Sequence, residues 1–332
     1  MAFFYLNISS VGRGAGRSAV ASAAYRAGER LREERTGRLH NHSHRRDVVH
    51  TEIFVPEQFA GQPLEWARNR ERLWNAADHA EKRHNSRLAR EYQVTLPAEL
   101  NPEQRLSLAR AFSREIAERY GVAVDLAVHD PRPDGDPRNF HAHILTTTRE
   151  VTPMGLGAKS GLDMGSLDRH RRGLPNVRAE YFNVRERWAQ LTNSALHEAG
   201  IDARIDHRSY AAQGIDREPQ PRLPKYHRTL ERRGVRDEIT EQIRTEYQER
   251  VQQRLLRAQA RAAEQGTTLA ADPGASASGP AQPEPKTDLA EVRRQAREAW
   301  LALRAAARAA EVAPRQREPA APEQQAEDDL TR

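Results

Sequence analysis

The sequence predicts an α+β protein built on an antiparallel sheet. Three stretches carry this. Glu91–Leu96 alternates, with Tyr92, Val94 and Leu96 on one face and Glu91, Gln93 and Thr95 on the other. Asn101-Pro102 then supplies a helix cap followed by a first-turn proline, and that helix stops near Gly121. Val122–His129 and Phe140–Thr146 alternate again, across the turn-rich Asp130–Asn139. Strand, helix, strand, strand with a hairpin between the last two fits an antiparallel core and not a doubly wound parallel sheet.

The remaining elements follow in order. Phe3–Ile8 is a first strand, and Gly12–Gly16 a glycine-rich loop. Ser18 caps a helix expected to reach about Glu34, with Val20, Ala23, Ala24, Ala27 and Leu31 at helical spacing. Arg35–Arg46 reads as a loop and Val48–Val55 as a second strand, ended by Pro56. A long helix is expected from about Leu64 to Arg90, with a break near His84–Asn85. Met154–Pro175 is glycine-rich, basic and loop-like, and Asn176–Glu198 is helical, closed by Gly200. This gives a core domain over 1–222. A charged helical extension follows over 223–265, then a linker rich in Gly, Ala, Pro and Ser over 266–287, and a final region, 288–332, with an Ala/Arg-rich helix (Asp288–Glu311) and a disordered tail.

Composition narrows the chemistry. Of 332 residues, 37% are apolar and 30% charged, which allows a sizeable core but not along the whole chain. With no cysteine, disulfides, cysteine zinc sites and thiol catalysis are excluded, as fits a cytoplasmic protein. No apolar run approaches a membrane span, and MAFFYLNISS lacks the basic start of a signal peptide. The net charge is +6, and the first 46 residues alone hold nine Arg against three Glu. That early excess suits a phosphate backbone or a solvated basic surface.

His141 and His143 share one face of their strand, since side chains alternate with period two. Phe140, Ala142 and Ile144 take the other face, and on the preceding strand His129 lies opposite the Val122, Val124, Leu126, Val128 set. If the two strands pair, three imidazoles converge and leave open positions on a divalent ion. Exposed histidine pairs on edge strands are the alternative. Glu91, on the polar face of its strand, could reach the same place or be an ordinary strand carboxylate. His40, His42 and His44 sit in an arginine-rich loop, which favours a solvated or DNA-facing role. Tyr25 lies mid-helix among small residues, about a third of a turn from the apolar stripe. It could pack half-buried or meet a DNA strand. A phenol, with a pKa near 10, needs a nearby cation or base to attack phosphorus.

Five blocks, in order, resemble the MobA/MobL family of plasmid relaxases: SAVASAAYRAGERL (Ser18–Leu31), DVVHTEIFVPE (Asp47–Glu57), RLAREYQVTLPAEL (Arg87–Leu100), RNFHAHILTTTRE (Arg138–Glu150) and IDHRSYAAQGIDREPQ (Ile205–Gln220). The likeness covers roughly 1–222. It implies an HUH-type relaxase fold, Tyr25 as the nucleophile and His129, His141 and His143 as metal ligands. It also places Glu91 where the family carries an acidic residue near the site. The implied activity is nicking and rejoining of one DNA strand at an origin of transfer, through a 5′-phosphotyrosine, with Mg²⁺ or Mn²⁺ as cofactor. Expected partners are single-stranded origin DNA, relaxosome accessory proteins and a type IV secretion coupling ATPase, with the C-terminal helices as their docking region. His207 and Arg208 fall in a family-like block with no role beyond structure or DNA contact. No G-x-x-x-x-G-K-[ST] loop is present, so ATP-driven unwinding is not expected of this sequence. A non-catalytic origin-binding protein, a metal-dependent hydrolase and a rolling-circle replication initiator are the competing readings.

Overall fold

The structure, a computed structural model, describes residues 2–269 apart from Ala60, Pro63, Asp134, Arg222 and Arg236. The Asp288–Glu311 helix, the tail and most of the linker lie outside the described residues. In chain order the strands are β1 (Leu6–Gly12), β2 (Arg30–Arg32), β3 (Leu39–Asn41), β4 (Val48–Phe54), β5 (Arg87–Thr95), β6 (Val122–His129), β7 (His141–Thr152) and β8 (Gly155–Lys159). The helices are α1 (Ala19–Ala27), α2 (Glu65–Arg68), α3 (Arg70–His79), α4 (Pro102–Tyr120), α5 (Ser166–Arg171), α6 (Val177–Glu198), α7 (Lys225–Arg232) and α8 (Glu238–Leu269). The chain divides into two units, Met1–Val251 and Gln252–Arg332. The first holds the sheet; the described part of the second is helical. Among the described residues no helix is long and apolar enough to cross a membrane.

The sheet is antiparallel throughout, in the order β1-β5-β7-β6-β4, with β8 pairing the far part of β7. Its architecture is the α+β arrangement expected, and each face has its own core. On one face Tyr92, Val94, Val124, Leu126, Ala142 and Ile144 pack with Phe112 and Ile116 of α4 and Trp188 of α6. The capping box at Asn101 and Gln104 starts α4, and Gly121 (φ 64°) ends it, so its apolar side lies along β6. On the other face Val11, Ala89, Ala123 and Leu145 pack with Val20, Ala23, Ala24, Leu73 and Trp74. The alanines on both sides let α1 lie close to the strands. Buried Asp125 of β6 anchors α3, accepting from the Arg70 guanidinium (2.9 Å) and from Trp74 Nε1 (2.8 Å). Toward the β7 start this second face passes from Leu145 to His143 and His141, and there the site lies. Ile144 is fully buried in the central strand. Truncation to Ala is expected to cost about 2–5 kcal/mol, read by urea unfolding; a cost below ~1 kcal/mol would contradict this packing.

Several expectations need correction. Strand β1 begins at Leu6, not Phe3, which is exposed. Helix α1 ends at Ala27 because Gly28 adopts φ 65°, where an L side chain is strained, and a Cβ there would meet Val48 Cγ2 at 3.2 Å. Leu31 belongs instead to the β2–β3 hairpin inside the expected helix and loop, and is buried all the same. The long helix from Leu64 is in fact α2 and α3, the second capped by Asn69, and β5 starts at Arg87. Residues Leu88 to Tyr92 are all buried, so no alternation marks the start of that strand. The loop 154–175 contains β8 and α5. Gly234 (φ 71°) separates α7 from α8 in the charged extension. Helix α8 continues through Gly266–Leu269, which composition assigns to the linker; extending a formed helix is far easier than nucleating one.

Candidate active site

The β6–β7 register sets His129 opposite His141, and His143, two residues on, opposite Ala127. All three imidazoles emerge on the α1 side of the sheet. Ring centroids are 5.2 Å (His129–His141), 4.9 Å (His129–His143) and 5.3 Å (His141–His143) apart. One nitrogen from each lies within 4.8 Å of the others. The remaining nitrogens are held by groups that accept: His141 Nδ1 is 2.8 Å from the Asn139 carbonyl, and His129 Nε2 is 2.7 Å from the Arg26 carbonyl. His143 Nδ1 is 2.7 Å from Glu91 Oε1. Acceptors at those nitrogens place the protons there, which leaves lone pairs on His129 Nδ1, His141 Nε2 and His143 Nε2. Imidazoles with their outer nitrogens fixed in this way are the donor set that a divalent ion takes, and the residues fit that group.

Burial pushes His129 down to about 3, helped by the neighbouring His143, His141 and Arg45, and burial lowers His141 as well. In the unfolded chain a histidine takes its proton near 6.5, whereas folded His129 resists until about 3. The unfolded state therefore binds more protons between those pH values, and the metal-free protein should lose stability as pH falls from about 6.5 toward 3. Thermal unfolding of the metal-free protein across that window tests this. A melting temperature flat from pH 7 to below pH 5 would contradict it.

Glu91, on β5, reaches across to the cluster. Its carboxylate accepts from His143 Nδ1, from Arg26 Nε (2.5 Å) and Nη2 (2.6 Å), and distantly from Ser9 Oγ (3.4 Å). Burial alone would raise its pKa, but the hydrogen bonds from His143 and Arg26 and the charge of Arg26 outweigh it and hold the carboxyl well below the usual range. Glu91 is thus ionised and fully engaged.

Tyr25 stands on α1, whose first turn is capped by the Ser18 hydroxyl accepting from the Ala21 amide. The residue is 40% exposed, so it is not part of the core. The Arg45 guanidinium lies over the ring, 4.3 Å from the centroid, and the His42 ring meets it edge-on at 5.3 Å. Arg132 Nη2, from the β6–β7 loop, donates to the phenol oxygen at 3.1 Å. Arg45 also donates to the Tyr25 carbonyl (2.5 Å), pairs with Asp47 and places Nη2 3.5 Å from His129 Nδ1. The next residue, Arg26, meets His129 through its carbonyl and the Glu91 carboxylate beside His143 through its side chain. The structure therefore brings Tyr25, Glu91, His129, His141 and His143 to one end of the sheet.

Arg26, Arg45, Asp47 and Arg132 were not singled out by sequence reasoning, and spacing carries no signal for them beyond the position of Arg26 beside Tyr25. The nine arginines of the first 46 residues are also not equally available. Arg13 pairs with Asp78, Arg26 with Glu91, Arg35 with Asp78 and Glu33, and Arg45 with Asp47. His40 Nε2 sits 3.3 Å from Glu33, and His44 neighbours His42. Arg208 clamps Asp206 (2.7 Å), and the His207 carbonyl accepts from Arg185, so that block is tied to itself and to α6.

The profile of the MobA/MobL family matches residues 17–233. The chain is 36% identical over 281 residues to the mobilization protein MobL of Acidithiobacillus ferridurans, across 78% of this chain and 71% of that one. It is 36% identical over 263 residues to the conjugal transfer protein TraA of Agrobacterium fabrum (strain C58 / ATCC 33970), across 72% of this chain but 23% of that longer protein. Among solved structures, one described as the molecular basis of vancomycin resistance transfer in Staphylococcus aureus superposes with a TM-score of 0.52 at 26% identity, covering 63% of this chain and 100% of that chain. The sheet, the five sequence blocks and these matches agree: the chain belongs to the MobA/MobL family.

Proposed function

We propose that this protein is a relaxase that cuts one DNA strand at an origin of transfer by transesterification on Tyr25 and later rejoins it. The observation that carries the reading is the placement of an exposed tyrosine one residue from Arg26, which hydrogen-bonds to both His129 and the Glu91 partner of His143. The likeness to a mobilization protein supports the same role. Tyr25 Oη attacks the scissile phosphorus in line; the bond to the 3′ oxygen breaks, the phenol proton is lost, and the leaving oxygen takes up a proton as a 3′-hydroxyl. Held by His129, His141 and His143, a divalent ion (Mg²⁺ or Mn²⁺) would offset charge on the nonbridging phosphate oxygens. Arg132 orients the phenol by donating to its oxygen, and Arg45 fixes the ring from above. Glu91 holds the His143 tautomer. Because one phosphodiester replaces another, the reverse reaction rejoins the strand without ATP. Single-stranded origin DNA is the substrate we assign, and the bacterial cytoplasm the compartment. The decisive experiment is a labelled origin oligonucleotide with Tyr25→Phe as control, argued in the Discussion.

We assign nicking and joining to residues 1–222. The helical extension (223–265), the linker (266–287) and the terminal region (288–332) would serve accessory proteins or the coupling ATPase. A chain ending at residue 222 is then expected to nick a single-stranded oligonucleotide as the full chain does. A folded truncation that binds but cannot nick would move the domain boundary toward the end of the first unit at Val251.

A further inference from the structure

Arg26 makes more contacts across the site than any role assigned so far uses. Its carbonyl accepts from His129 Nε2 at 2.7 Å. Its guanidinium grips Glu91 with two prongs, Nε at 2.5 Å and Nη2 at 2.6 Å, and the same carboxylate accepts from His143 Nδ1 at 2.7 Å. A third nitrogen, Nη1, donates to the Ser22 carbonyl one turn back on α1 (2.8 Å). The side chain is therefore braced on its own helix while it holds the carboxylate, and both Arg26 and Glu91 are largely buried. The planar fork suits this task, because its donors diverge in fixed directions toward a carboxylate and a carbonyl together.

We propose that Arg26 is a positioning residue that joins the helix of Tyr25 to two of the three imidazoles, so that loading the triad with a divalent ion and fixing the nucleophile are linked. The inference rests on the metal reading of the triad given above and extends it. Glu91 keeps His143 in the tautomer with its lone pair on Nε2, and the carboxylate in turn depends on Arg26 for its direction and for its burial as an ion. Without the guanidinium, nothing holds the Glu91 carboxylate in its present direction, and His143 loses its fixed orientation. The Arg26 carbonyl does the same for His129, so a movement of α1 disturbs two ligands at once. Linkage is reciprocal: an ion that orders the imidazoles must also order α1.

The test is Mn²⁺ binding to the full chain by titration calorimetry, a measurement that needs no DNA and no cleavage. Arg26→Gln is expected to weaken Mn²⁺ binding by about 10–100-fold, the usual cost of losing a partner behind a metal ligand. Arg26→Lys, which keeps the charge but only one prong, should fall between Arg26→Gln and the native chain. In a Glu91→Gln background, Arg26→Gln should add almost nothing, since its action runs through that carboxylate. Hydrogen exchange of the amides of residues 19–27 should slow on adding Mn²⁺ and slow less in Arg26→Gln. Affinity unchanged or tighter in Arg26→Gln, or an equal loss with and without Glu91, overturns the proposal. If Arg26→Gln does not fold, Arg26→Lys decides alone, and native affinity in that variant overturns it. A native chain that binds no Mn²⁺ removes the metal reading and this inference together. A native chain that shows the linkage yet never cuts DNA removes the relaxase assignment and leaves this inference standing.

Discussion

Tyr25→Phe is expected to abolish the covalent DNA adduct and strand exchange while leaving origin binding intact. The substitution removes one oxygen from a ring that stays under Arg45 and beside His42, so the surface proposed to meet DNA keeps its shape and charge. What it removes is the atom to which Arg132 donates. The products separate the readings. A hydrolase releases both DNA fragments, and a binding protein releases none. A tyrosine transesterase releases the fragment ending in a 3′-hydroxyl and keeps the other on the protein. Since bonds of one kind are exchanged, cleavage of a short origin oligonucleotide should stop short of completion. A second oligonucleotide ending in the same 3′-hydroxyl sequence should then attack the adduct and give a recombinant strand. An adduct that persists in Tyr25→Phe, or maps by peptide mass to Tyr5, Tyr92 or another tyrosine, would show that the nucleophile is misassigned even if the family holds. Tyr92 is a poor rival on physical grounds. It is buried in the core against Phe112, and burial pushes its pKa well above the ordinary value.

The second large effect concerns the imidazoles. His141→Ala with His143→Ala should bring cleavage below detection, and chelation of the native chain should do the same, reversed by Mn²⁺ or Mg²⁺. Two of the three lone pairs that face one another within 4.8 Å vanish in the double variant. One imidazole cannot by itself hold a divalent ion against water at ordinary concentrations. The fold should survive, because His141 and His143 lie on the half-open face of β7 while Ala142 and Ile144 carry its packing. Cleavage that continues unchanged in the double variant would rule the site out. Tighter binding of softer ions in solution would not identify the ion used in cells, since nitrogen sites follow the general affinity order of divalent metals.

Much of the frame was legible in the amino-acid order. The α4 cap at Asn101-Pro102, its stop at Gly121 and the two faces of β5, β6 and β7 follow from local rules: side-chain alternation in an extended backbone, and the need to satisfy the ends of a helix. For the same reason the spacing of His129, His141 and His143 puts them on one face. Elements were missed where local rules fall silent. The start of β5 is buried on both faces and so does not alternate, and the stripe leading to Leu31 continues in phase past the glycine that ends α1.

The sequence by itself determined the antiparallel α+β class, the shared face of the histidines and the family. Which residues surround Tyr25 was decided only by tertiary structure. Arg26 meets Glu91 across 65 residues, and Arg132 meets Tyr25 across 107. Those pairings depend on α1 settling across the end of the sheet on a bed of alanines, with the β6–β7 loop folded back toward it. Periodicity reports which side of an element a residue faces; it does not report which distant element comes to face it, because that is set by how whole layers pack.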